Sequence, residues 1–124
     1  MKIIIPGELT DLNKFINSQR INRYAGATVK KQNTEKCRNA FLLAKAAGFK
    51  VTPPFRLHIV WYCKNGRKDP DNLSFTKKFV LDGMQAAGII VNDGFKQVRG
   101  FNESFEIDKE YPRIEIEVEE IKND

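Results

Sequence analysis

Nine residues, Phe55-Arg-Leu-His-Ile-Val-Trp-Tyr-Cys63, alternate without a break. Only an extended chain turns successive side chains to opposite faces, so the stretch reads as a strand burying Phe55, Leu57, Ile59, Trp61 and Cys63. Arg56, His58, Val60 and Tyr62 fall on the other, less apolar face, where His58 is expected as a hydrogen-bonded or exposed strand residue. A strand with one strongly apolar face needs a second layer to cover it. Arg113 to Glu119 alternates as strictly, burying Ile114, Ile116 and Val118 and turning its glutamates outward as a solvated face. Lys2-Ile-Ile-Ile5, stopped by Pro6-Gly7, reads as a short strand, and residues 96–106 as another, joined to strand 112–119 by a turn around Lys109 to Pro112.

The remaining periodicity is helical. Thr10-Asp11 caps a helix over about 11–19 with Leu12, Phe15 and Ile16 inward. Arg20 to Ala27 reads as a hinge. A longer helix follows over about 28–47, its apolar stripe running through Val29, Cys37, Ala40, Phe41, Ala44 and Ala47, with Gly48 placed to end it. A third helix covers about 71–87, with Leu73, Thr76, Val80, Gly83, Met84 and Ala87 on one side, and Gly88 closes it. The fold expected is α+β: one domain over 1–124, a small mixed or antiparallel sheet of about four strands packed with helices.

Composition excludes several classes. No apolar run approaches the roughly 20 residues of a membrane helix, and the N-terminus lacks the long apolar run and cleavage site of a signal peptide, so a cytoplasmic protein is expected. One histidine and two cysteines cannot build a Cys/His zinc site, and Cys37 and Cys63 read as reduced and structural. The formal net charge of +5 is unevenly spread. Arg20 to Lys50 holds eight bases and one acid, whereas Glu103 to Asp124 holds nine acids and three bases. That asymmetry predicts one face for a polyanion, with Arg20, Arg23, Lys30, Lys31 and Lys36 as phosphate contacts and Arg67 and Lys68 beside them.

Within this basic chain, Asp69 and Asp71 open the third helix and Asp93 follows it in Asn92-Asp93-Gly94. Asp-Pro-Asp is also a good helix start, with Asp69 as cap and Pro70 at the first helical position, and Asn-Asp-Gly a good turn. The chemical alternative is a hard-cation site: Mg²⁺, or Mn²⁺ in its place, takes a few carboxylates plus phosphate oxygens. Lys78 lies seven residues after Asp71, within about 20° of it around a continuous helix, and Lys77 points about 100° away. Lys78 is therefore the cation expected to steady a phosphate, and metal-assisted phosphodiester hydrolysis is the chemistry expected.

Asp69-Pro-Asp71-Asn72-Leu73, Lys78-Phe79, Leu81-Asp82-Gly83, Ala87-Gly88-Ile89 and Asn92-Asp93 together resemble the signature of RusA-like Holliday junction resolvases. Residues 12–17 and 22–27 resemble the N-terminal part of phage and prophage members. The resemblance implies a small α+β domain, a homodimer, and Mg²⁺-dependent paired nicking of four-way DNA junctions. It also implies catalytic roles for Asp69, Asp71, Asp93 and Lys78. The match at Lys78 depends on a gap after Asn72, and Asn92 stands where the best-known member has an aspartate. Two rival readings remain: a metal-dependent nuclease for other branched DNA, and a non-catalytic junction-binding protein.

Overall fold

The computed structural model describes residues 1–122; Asp124, one of the acids in the C-terminal stretch, lies outside the described residues. In chain order the elements are β1 (Lys2–Pro6), α1 (Leu12–Ile21), α2 (Arg23–Ala46), β2 (Phe55–Cys63), α3 (Pro70–Ser74), α4 (Lys77–Ala86), β3 (Val98–Ile107) and β4 (Arg113–Glu120). The strands form one mixed sheet in the order β1-β4-β2-β3. β4 pairs antiparallel with both β1 and β2, and β3 pairs parallel with β2. The α+β class is therefore as the sequence indicates.

β2 alternates buried and half-buried residues along its whole length. Leu57, Ile59 and Trp61 join Ile3, Ile5, Ile114 and Ile116 on one face, against Phe41, Phe79, Val80 and Met84 of the helices. The opposite face is laced with charge. Lys2 pairs with Glu115 at 3.0 Å, and His58 Nε2 lies 2.7 Å from Glu119 Oε1, so His58 is a hydrogen-bonded strand residue. Cys37 and Cys63 are free and buried, and burial pushes the Cys37 thiol up to about 12.

Two boundaries differ from expectation. The hinge expected over 20–27 is helical apart from Asn22. Its extended backbone (φ −172°, ψ 166°) breaks the helix for one residue, and its Oδ1 accepts from Ala25 N at 2.7 Å to start α2. Gly26 continues α2 because the helices nearly touch there: a Cβ would meet Gln19 Cγ at 2.8 Å. The helix expected over 71–87 is interrupted at Phe75-Thr76. The buried Thr76 hydroxyl donates to Leu73 O at 2.6 Å, and Thr76 N and Lys78 N bond three residues back, at 2.9 and 3.1 Å. Such bonds overwind the chain relative to an α-helix. Gly48 and Gly88 end α2 and α4 at φ +100° and +74°, with Phe49 N and Ile89 N reaching back to Ala44 O and Met84 O at 2.9 Å each.

α2 and α4 cross at Gly83. A Cβ there would overlap Cys37 Cβ and stand 2.8 Å from Arg38 N. Gly83→Ala is expected to push the helices apart and cost about 1–3 kcal/mol, read as a lower denaturation midpoint with unchanged m value. On the open sheet face, Arg113 Nε donates to Glu115 and its Nη1 to Asp108, each at 2.7 Å. Those bonds hold both carboxyls below their ordinary values. The folded chain then binds fewer protons than the unfolded one. The stabilisation is complete above the ordinary carboxylate range, about pH 4, and is lost as pH falls through the depressed values. Arg113→Met should lower the melting temperature at pH 7 and flatten its decline below about pH 5.

Candidate functional site

The loop leaving β2 turns into α3 at Asp69. Its extended backbone (φ −75°, ψ 144°) and Pro70 set the first helical turn, and its carbonyl accepts from Asn72 N at 3.0 Å and Leu73 N at 3.2 Å. Its carboxylate makes no capping bond. Asp71 Oδ1 accepts only the adjacent Asn72 N, at 3.0 Å. Asp93 stands exposed in its loop, where Asn92 Oδ1 accepts from Asp93 N at 2.9 Å. Among the described residues none of these three carboxylates has a cation within ion-pair distance, although Glu8, Asp11, Asp82, Glu103, Asp108, Glu115, Glu117 and Glu119 all do.

One chain does not bring the three aspartates together. Among the described residues no group of three or more His, Cys, Asp or Glu side chains is placed to hold a metal ion. Topology explains this. α3 lies over the later half of β3, where Ser74 Oγ donates to both Glu103 oxygens at 3.0 Å, and the loop before α3 lies near Ile107, 3.5 Å from a Cβ built on Gly66. Asp93 precedes the turn in which Val98 N bonds Gly94 O at 2.9 Å, at the other end of that strand. The five steps from Val98 to Glu103 alone span about 17 Å at strand rise. Asp69 and Asp71 form one end of the candidate site, and Asp93 stands apart from them.

The basic residues divide as well. Arg20, Arg23, Lys30, Lys31 and Arg67 are exposed. Lys36 is exposed and its Nζ donates to Glu8 O at 3.3 Å. Lys68 is paired within the chain: its Nζ lies 3.6 Å from both Glu8 and Asp11, tying the loop before Asp69 to the start of α1. Lys78 is half exposed, 4.0 Å from Asp82 Oδ2. The interruption at Phe75-Thr76 removes the continuous helix that would align Lys78 with Asp71.

A second cluster flanks the aspartates and was not foreseen. Lys77 Nζ lies 2.8 Å from Glu103 Oε2 and 2.9 Å from Ser74 Oγ, and stands 4.7 Å from the Phe101 ring centroid. Trp61 Nε1 donates to Glu103 Oε1 at 3.1 Å. Its trace in the sequence is Glu103 itself, an acid on the strand face it shares with Phe101 and Phe105. Compared with known proteins, the chain matches no family model and no curated sequence.

The two possible caps can be separated. Asp11 is buried and its Oδ1 accepts from Lys14 N at 2.9 Å, so Asp11→Ala should cost about 1 kcal/mol or more. Asp69→Ala should stay within about 0.5 kcal/mol of the parent, both measured by chemical denaturation.

Proposed function

We propose that this chain is a metal-dependent endodeoxyribonuclease that acts as a homodimer on branched DNA, four-way junctions foremost, and cuts it by paired nicks. The observation that carries the reading is the state of Asp69, Asp71 and Asp93. Among the described residues they are exposed carboxylates left without a cation, in a chain of 21 lysines and arginines where most other acids are paired. Capping does not account for Asp69, whose side chain caps nothing. Hard oxygen donors of this kind fit Mg²⁺, or Mn²⁺ in its place. When bound, such an ion supplies charge to polarise a phosphate and to acidify a water.

The protein's own contributions follow from placement. Asp69 and Asp71 offer oxygens from the first turn of α3, a segment held against β3 by the Ser74–Glu103–Lys77 bonds. Lys78 offers a half-exposed ammonium for charge developing on a phosphate oxygen. Arg20, Arg23, Lys30 and Lys31 give the sequence-independent attraction that DNA binding draws from phosphate.

A second copy answers the separation of Asp93. β3 is an edge strand, and the side chains of Phe101, Phe105 and Ile107 on it are 40%, 36% and 66% exposed. Two such edges meeting antiparallel about a two-fold axis would bring the Asp93 end of one β3 to the Ile107 end of the other, beside the loop that leads to Asp69. Two sites built this way are also what a symmetrical pair of cuts requires.

Asp71→Asn should lower Mg²⁺-dependent cutting of a labelled four-way junction by about 10²–10³-fold or more, with junction affinity in EDTA unchanged. An equimolar mixture of Asp71→Asn and Asp93→Asn chains, refolded together, should recover cutting, since one of the two shared sites is then intact. A mixture as inactive as its parents would overturn the shared site.

A further inference from the structure

We propose that the tip of the α1–α2 hairpin is a stacking site for a base left unstacked at a DNA branch point, with Tyr24 as its platform; the idea rests on the branched-DNA reading above. The hairpin is anchored at its base. Thr10 N donates to Asn33 Oδ1, and Asn33 Nδ2 donates to Thr10 Oγ1, each at 2.9 Å, and Asp11 pairs with Lys68 beside Asp69. From there α1 runs ten residues outward, about 15 Å.

The tip is held in one shape. Asn22 ends α1 by donating its backbone N–H to Ser18 O at 3.4 Å, and starts α2 by accepting from Ala25 N at 2.7 Å. Gly26 lets the two helices close on each other immediately behind it. On this fixed corner Ile21 and Tyr24 are 74% and 73% exposed. Large apolar side chains held out in water together point to a partner.

Charge selects that partner. Arg20 and Arg23 flank the pair, and the Arg23 guanidinium lies 5.6 Å from the Tyr24 ring centroid. Tyr24, Lys31 and Arg38 recur every seven residues, so they share a stripe of α2, in which Glu35 is the one acid. Two copies meeting tip to tip would oppose arginine with arginine, whereas a polyanion satisfies them. Phosphates alone would need only the cations. A ring beside them offers a surface to a base, and a base exposes its π-face only where pairing or stacking is interrupted.

The test is binding in EDTA to a labelled four-way junction and to a linear duplex of the same sequence. Tyr24→Ala should weaken junction binding by about five- to a hundredfold and leave duplex binding within about twofold. Tyr24→Trp should retain the junction affinity and Tyr24→Leu should lose it, because stacking needs a ring rather than bulk. Equal losses on both DNAs, retention by Tyr24→Leu, or a Tyr24→Ala change confined to the mass seen by light scattering would each overturn the site. If wild type cuts junctions with Mg²⁺ and Tyr24→Ala binds them equally well, the stacking site alone is wrong. If wild type neither prefers nor cuts junctions, the nuclease reading falls and takes this site with it.

Discussion

The parallel pairing of β2 with β3 governs the rest of the molecule. Antiparallel neighbours can be joined by a tight turn, but parallel ones require the chain to cross the sheet and return to the starting end. Here that return is Lys64 to Gln97, and it carries Asp69, Asp71, Lys77, Lys78 and Asp93. The crossing is packed tightly. Phe79, Val80 and Met84 are fully buried on the sheet, and Phe15 of α1 contacts Phe75 and Phe79 at ring-centroid distances of 5.7 and 5.9 Å. The candidate site is therefore mounted on a packed element rather than a free loop. The same geometry separates its parts, because a crossover begins at one end of the strand pair and finishes at the other.

Charge is partitioned to match. The open sheet face places Glu115, Glu117 and Glu119 among Lys2, Arg56, His58 and Arg113, so its acids are largely neutralised in place. The pairs exposed on both sides, Lys2–Glu117 and Arg56–Glu119, contribute little each. The effect of all these pairs together is to leave that face with little net attraction for a polyanion. Among the described residues, charges without an ion-pair partner include cations along the α1–α2 hairpin and carboxylates at the start of α3 and before β3. In the proposed function, a metal would meet these carboxylates and phosphates these cations.

Much of this was legible in the sequence because the signals were local. Strict alternation marked β2 and β4, and Gly48 and Gly88 marked helix ends that the backbone realises with positive φ. What was not legible depends on contacts across the fold. Asn22 caps two helices at once, so a stretch rich in Arg, Asn and Gly is nearly all helix rather than hinge. Thr76 breaks the crossover helix through a hydroxyl bond that burial enforces, where periodicity counted it as one more core position. The pairing of Lys68 was not legible either, because its partners, Glu8 and Asp11, are more than fifty residues away in sequence. The aspartates were found by residue type, and their separation by strand direction, which alternation alone does not reveal.

The two adjacent lysines show how structure can keep a choice and change its reason. A continuous helix would have aligned Lys78 with Asp71 and turned Lys77 away, but the chain overwinds between them. What separates the pair instead is commitment. Lys77 is held by Glu103 and Ser74 and laid over Phe101, with its side chain 24% exposed. Withdrawing it would leave the Glu103 carboxylate, 17% exposed, without its cation, a costly state for a partly buried charge. Lys78 meets Asp82 only at 4.0 Å and is 51% exposed. The Asp82 side chain is 23% exposed, but at 4.0 Å it makes no hydrogen bond to the Lys78 ammonium, which is held less tightly than that of Lys77, while Lys77 keeps α3 and α4 seated on β3.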